Sequence, residues 1–477
     1  MNTTKKIAYN SLASLGLRAL YVLASLLIVG LMTRYLGRTT YGEYATVLAI
    51  VYVFAVLADL GLYNITLRDI ARPGADEQKI IQNNFTIRFL AGLFLFGGGA
   101  LLVWFLPYPS LVKKGVLVAG AGFWLLSNIN VLIGVFQKHL RVDKVAVTEF
   151  LGRLFQLALV FYLIQKGAGF LTLVAALAAG SLLNFILIWY FLRPYAPLKL
   201  RFDFGFWRQT LKQSLPLGVA SIFVMIYFKL DTVMLSLMKT PADVGLYSVA
   251  YKVLENFVFL PTMLIGLIMP LLAKYFVANF ARFRRVADTT QRIFLLVAIP
   301  LTLGGVFLAK QIIYLLAGSD FAPAASALRW LMVALSLIFL GALYSNMLIA
   351  ANLQKKLTLV YGVGAVVNLA LNLVFIPRFS YNGAAATTVF TELLVTFLMF
   401  LFLARQIKFR PSFRSAWPPL LAGAAMAVFL FFFQAWPFWA LVVGGSLIYG
   451  AFLYFSAGVR REDLRLIFSK NADNQKT

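Results

Sequence analysis

The chain has 477 residues, 61% of them hydrophobic and only 13% charged, which excludes an ordinary soluble domain, where about a quarter of residues are charged, and reads as an integral membrane protein. No cysteine and one histidine, His139, are present, so disulfide frameworks, thiolate chemistry and His/Cys metal clusters are excluded too. A formal net charge of +26 would suggest nucleic acid in a soluble chain, so its placement along the sequence decides its meaning.

Apolar runs of about 20 residues, enough to cross a ~30 Å hydrocarbon core, predict fourteen transmembrane helices. In chain order they span 8–33, 43–65, 83–106, 115–136, 146–165, 169–192, 214–238, 244–269, 289–309, 325–350, 358–376, 384–404, 417–436 and 438–456. The first run is too long and too polar-striped for a cleavable signal peptide, and reads as the first span. Connecting segments are all short, so no soluble domain with its own core is expected.

With the N-terminus inside, most of the 43 basic residues fall in inner segments. Examples are Arg68, Arg72 and Lys79; Lys138, Arg141 and Lys144; Lys199, Arg201, Arg208 and Lys212; and Arg282, Arg284 and Arg285. Outer segments hold far fewer, among them Arg34, Arg38, Lys113, Lys114 and Lys239. This bias is the positive-inside rule. It predicts a multi-pass protein of the cell (cytoplasmic or inner) membrane with both termini in the cytoplasm, and it turns the net charge into a statement of topology, with no nucleic-acid partner.

An internal repeat accompanies the spans. At an offset of 203, "NSLASLG" (10–16) falls on "QSLPLGV" (213–219) and "TYGEY" (40–44) on "DVGLY" (243–247); a second echo sets "GVFQKHL" (134–140) on "ANLQKKL" (351–357). Both offsets carry an even number of spans, which implies copies related by an axis along the membrane normal. The expected organisation is an N-terminal six-helix bundle (1–192), a cytoplasmic linker (193–213), a C-terminal six-helix bundle (214–404), two additional helices (405–456) and a cytoplasmic tail (457–477).

Spans one to twelve contain Arg18, Asp59, Arg88, Glu149, Arg153, Lys229, Asp231, Lys252, Glu255 and Glu392. A charge at the centre of a membrane helix costs about 2.5–3.5 kcal/mol on insertion scales, so such groups face protein or a water-filled cavity. Arg18 shares one helix face with Ser11, Ser14, Tyr21 and Ser25, spaced at three and four residues. Distance from the hairpin turn puts Arg18 level with Asp59, and likewise Lys229 with Glu255 and Asp231 with Lys252. Glu149 and Arg153, at i,i+4, read as a structural ion pair; the six level-matched residues read better as lining a cavity. Pro216, Pro261, Pro270 and Pro300 predict interruptions in spans seven to nine, and Tyr63, Asn64 and Thr66 predict a polar, unwound end to span two.

The stretches "YLGRTTYGEY" (35–44), "ADLGL" (58–62), "KLDTVML" (229–235), "LQKK" (353–356) and "IPRFSYNGAAATT" (376–388) together resemble the polysaccharide transporters of the multidrug/oligosaccharidyl-lipid/polysaccharide (MOP) exporter superfamily, especially Wzx-type O-antigen flippases. The resemblance implies an all-α, MATE-like pair of bundles working by alternating access. It implies a flippase for isoprenoid-pyrophosphate-linked oligosaccharide, not an enzyme, monomeric, among membrane lipids and other polysaccharide-assembly membrane proteins. Lumen arginines that hold pyrophosphate carry over to Arg18, with Arg88 and Arg153, and Lys229 and Lys252 join them as cationic candidates. Asp59, Asp231, Glu255 and Glu392 are then candidates for Na⁺ or H⁺ coupling, and no other cofactor is expected. Two alternatives stay open: an ion-coupled multidrug exporter using those acids, and a peptidoglycan-precursor flippase. A membrane glycosyltransferase would need catalytic groups on a substantial outer loop, and the outer loops are short.

Overall fold

The computed structural model describes residues 3–195, 197–409 and 416–456, with side chains described from Gly16 onward except at 217, 220 and 267. The expected tail 457–477, Arg410 and Arg414, and the side chains of Ser11 and Ser14 lie outside the described residues.

Among the described residues the protein is all helix, with no strand. The helices are α1 Thr3–Asp59, α2 Leu62–Ile70, α3 Glu77–Trp104, α4 Ser110–Lys138, α5 Val142–Gln165, α6 Phe170–Leu192, α7 Phe204–Met238, α8 Pro241–Ala278, α9 Phe280–Phe307, α10 Ala309–Ala317, α11 Ala324–Ala350, α12 Gln354–Gln406, α13 Trp417–Phe432 and α14 Phe438–Phe455. Eleven of them are long and apolar enough to cross a membrane. Two of the eleven are each a pair of arms: α1 breaks at Gly37 (φ 66°) and α12 at Ser380 (φ 52°). Those two extra arms and the shorter apolar α13 account for the fourteen segments expected from hydropathy.

Two local expectations are corrected. Pro216, Pro261, Pro270 and Pro300 all sit inside continuous helices, because the turn before a proline can shift its carbonyls without ending the helix when neighbours pack around it. The break after Asp59 is confined to Leu60 (φ 45°) and Gly61 (φ 76°); Tyr63, Asn64 and Thr66 are helical again within α2. The polar groups of Tyr63 and Thr66 are held by protein, and Asn64 is exposed. The Asn84 amide donates to Thr66 Oγ1 at 2.8 Å, and the Gln137 amide to the Tyr63 hydroxyl at 2.9 Å.

The chain divides into two compact units. The first runs to Ser248 and includes Leu316–Asp320 and Asn372–Tyr381. In lipid, helices associate through close packing more than through the hydrophobic effect, and this unit shows the devices for it. Ile81, Phe85, Leu132, Phe136 and Ile188 interlock α3, α4 and α6. A Cβ on Gly152 or Gly180 would sit 2.9 Å from the other's carbonyl oxygen, so α5 and α6 touch backbone to backbone. Asp320 caps the second arm of α1, its Oδ2 accepting from the Arg38 N–H at 3.0 Å. The two repeat copies meet in this unit, Gly42 against Pro241 and Gly245 against Arg38.

The second unit contains the remainder of α8 to α14. The hairpin of α13 and α14 packs on α9 through Ile299, Met426, Leu430, Leu441 and Tyr449, and the Tyr449 hydroxyl donates to the Leu296 carbonyl at 3.0 Å. Around the turn of that hairpin Phe431, Phe432, Trp436 and Trp439 are exposed, which suits the aromatic belt of a membrane–water interface.

Candidate functional site

In the first unit α1 and α5 pack together and bring two of the cationic candidates, Arg18 and Arg153, to one place. Arg18 is exposed on α1, and Tyr21, three residues on, shares its face. From α5, Arg153 lays its guanidinium over the Tyr21 ring, 4.6 Å from the centroid, and also donates to the Tyr21 hydroxyl. Its other arm donates to Gln156 Oε1 at 2.8 Å. Glu149, one turn before Arg153, lies in the field of both Arg18 and Arg153. Two guanidinium groups around one carboxylate leave a positive balance, which suits a phosphate-bearing ligand bound through forked, bidentate contacts.

Arg88 is placed differently. Its side chain is 1% exposed and closes an ion pair with Asp59, Nη1 to Oδ1 2.6 Å, while Nε donates to the Ser127 carbonyl at 3.2 Å. Its charge is already answered by Asp59. Lys229 of α7 lies over the Tyr52 ring at 5.4 Å. Asp231, buried two residues on, accepts from the Tyr247 hydroxyl at 3.1 Å and from the Asn372 amide at 2.6 Å.

In the second unit Lys252 pairs with Glu255 at 3.0 Å, one turn along the same helix. Glu392 on the second arm of α12 is 3% exposed, and its Oε1 has no hydrogen-bond partner among the described residues. Tyr361 lies within reach of its charge, and the residue just before it, Thr391, accepts from the Asn368 amide at 3.3 Å. Level matching across hairpins thus did not identify the partners of Asp59 and Lys252, which are Arg88 and Glu255.

Sequence reasoning also missed a polar layer in the second unit. Gln291 and Arg292 are buried on α9, Asp288 acts electrostatically on Tyr344 of α11, and the Tyr344 hydroxyl donates to Gln291 Oε1 at 3.3 Å. The helix begins at Phe280, nine residues before the apolar run starts at 289. The signal was there in the spacing of Phe283, Val286, Ala287, Thr290 and Phe294, all buried on one helical face.

The all-helical architecture has solved counterparts among transporters. The solved structure described as "Lipid II flippase MurJ, inward closed conformation" superposes over 95% of this chain and 100% of that one, with a TM-score of 0.77 at 14% identity. A MATE family multidrug resistance transporter of the MOP superfamily, in an inward-facing conformation, covers 83% of this chain and 98% of its own, with a TM-score of 0.68 at 15% identity. In sequence, "Probable flippase AglR" of Haloferax volcanii is 23% identical over 363 residues, 72% of this chain and 73% of that protein. The profile of the family described as "Polysaccharide biosynthesis protein" matches residues 5–276, and the MatE profile matches 216–374. The match over more than half its length makes the chain a member of the polysaccharide biosynthesis protein family.

Proposed function

We propose that this protein is a flippase that carries an isoprenoid-pyrophosphate-linked oligosaccharide from the cytoplasmic to the outer leaflet by alternating access. The observation that carries the reading is the excess of guanidinium over carboxylate where α1 meets α5: Arg18 and Arg153 against Glu149. A pyrophosphate and its sugars cannot cross hydrocarbon unaided, and two forked cations held in a membrane protein offer its oxygens the partners that lipid lacks. The flippase and transporter relatives support a transporter and not an enzyme. In this reading the headgroup passes through the protein while the polyprenyl tail stays in lipid.

Coupling to an ion gradient is part of the proposal. Of the acids expected to serve it, Asp59 and Glu255 are committed to ion pairs and Asp231 to two hydrogen bonds. Among the described residues, Glu392 is the one of these four whose buried oxygen accepts no hydrogen bond, so it is the place where H⁺ or Na⁺ would be taken up at least cost to the fold. The rival reading, an ion-coupled multidrug exporter, has support in the MatE match. Purified protein in vesicles, offered lipid-linked oligosaccharide in one series and cationic dyes in another, separates them: movement of the oligosaccharide alone is expected, and movement of dyes alone would overturn the proposal.

A further inference from the structure

The segment between α6 and α7 is held unusually firmly for a connection between spans. After α6 ends, residues 197–203 form no helix and are fastened to the first turns of α3. The buried Gln82 amide donates to the Pro197 carbonyl at 2.9 Å, and the Arg201 N–H donates to Thr86 Oγ1 at 2.9 Å. Asn83, fully buried, accepts at Oδ1 from both the Asp203 N–H at 3.1 Å and the Trp207 indole N–H at 2.9 Å. Lys79 Nζ closes the set on Asp203 at 2.9 Å.

These fastenings hold the Pro197 carbonyl and the Arg201 and Asp203 N–H groups, and while Leu198 packs inward on the core, the next apolar side chains face outward. Leu200, Phe202 and Phe204 are 50%, 57% and 72% exposed, and Trp207 lies between the two phenylalanines, 5.7 and 5.1 Å from their centroids. Exposing a large apolar side chain to water forgoes about 1.5–3 kcal/mol of burial, so three in a row held rigidly outward call for an apolar cover.

Depth and charge identify the cover. Thr86 stands nine residues into α3, about 13 Å along the axis from Glu77 at 1.5 Å per residue, so the segment lies beside the first turns of a span. The neighbouring end of α6 carries an interfacial signature, exposed Trp189 and Tyr190 with Arg193 stacked on both at 4.5 and 5.7 Å. Between 197 and 212 there are four basic residues, Lys199, Arg201, Arg208 and Lys212, and one acid, Asp203, which is already taken by Lys79.

We infer that this segment is a docking site for anionic phospholipid: Leu200, Phe202 and Phe204 enter the headgroup–acyl boundary while Lys199, Arg201 and Arg208 hold the phosphates. The buried amides of Gln82 and Asn83 act as positioning groups that present this face to one leaflet. The positive-inside reading makes that the cytoplasmic leaflet.

The native chain has no cysteine, so a nitroxide on Phe202→Cys reports one position in the full-length protein, in nanodiscs of mixed phosphatidylcholine and phosphatidylglycerol. The expected label is accessible to oxygen and shielded from a water-soluble nickel chelate. Access to the chelate would mean that the face meets water, and shielding from both quenchers would mean that a protein covers it; either result overturns the inference. In parallel, native mass spectrometry measures the phosphatidylglycerol retained relative to phosphatidylcholine. The combined variant Lys199→Gln, Arg201→Gln, Arg208→Gln is expected to lower that preference about fivefold or more, and an unchanged preference would overturn the headgroup assignment. Should the combined variant fail to fold, Arg208→Gln alone, at an exposed side chain, carries the same comparison.

Discussion

Gly42 and Gly245 are the same position of the two repeats, 203 residues apart, and each closes on the partner of the other. A Cβ on Gly42 would collide with the Pro241 carbonyl oxygen, and one on Gly245 with that of Arg38; Arg38 and Pro241 are themselves 203 apart. A local two-fold axis therefore passes between the copies at this point, and it leaves room for hydrogen only.

Gly42→Ala and Gly245→Ala must separate these two backbones. Each is expected to destabilise the folded protein by about 1–3 kcal/mol, the usual cost of overpacking against rigid atoms. Thermal unfolding in detergent, followed by ellipticity, checks this against Gly97→Ala, where a Cβ meets nothing within 4 Å. Equal melting temperatures for all three would contradict the contact.

The Arg88–Asp59 pair predicts a different pattern. With Arg88 1% exposed, Asp59→Asn strands a buried guanidinium and is expected to cost about 3–5 kcal/mol, whereas replacing both residues with Leu recovers most of it. Unfolding of the single and double variants measures the coupling. If the single variant is as stable as the native protein, the pair does not hold the fold.

Acid stability follows from Asp203, which lies outside the spans. The Phe206 N–H and the Lys79 ammonium hold its carboxyl below the usual carboxylate range. A depressed folded value means a contribution fully present above the unfolded value and lost as pH falls through the folded one, so below about pH 4. Tryptophan emission from Trp207 should report loosening of the linker in that window. Asp203→Asn should already be loosened at neutral pH and show no further change on acidification.

Glu392→Gln keeps the shape of a buried side chain and removes its charge. In vesicles with an imposed proton gradient, transport by the native protein is expected to respond to the gradient and transport by the variant to ignore it. A variant driven as well as the native protein would remove Glu392 from coupling. Unchanged transport after collapse of both proton and sodium gradients would remove coupling altogether.

Hydropathy made the spans legible because apolar length is what a bilayer demands, and the repeat offset made the Gly42–Gly245 contact legible in principle. Partners across the bundle were not legible. Distance from a hairpin turn gives height, but Arg88 reaches Asp59 from α3, and nothing in a one-dimensional pattern says which face of a third helix points there. The start of α9 was obscured because "NFARFRRVADTTQR" is too polar for a hydropathy window, although its buried face is regular. The linker was not legible for a similar reason: nothing in the pattern sets Asn83 and Thr86, which fasten residues 201–207, apart from other polar residues at a span edge.

The most direct test of the account is the rate at which reconstituted protein moves a pyrophosphate-linked oligosaccharide lipid, compared between the native chain and Arg18→Ala at equal abundance. Loss of one charge-assisted contact to phosphate, worth about 1.5–3 kcal/mol, should slow movement at subsaturating substrate by roughly tenfold or more, with melting unchanged. A native rate in Arg18→Ala, and again in the double variant with Arg153→Ala, would contradict the claim that guanidinium groups where α1 meets α5 receive the headgroup.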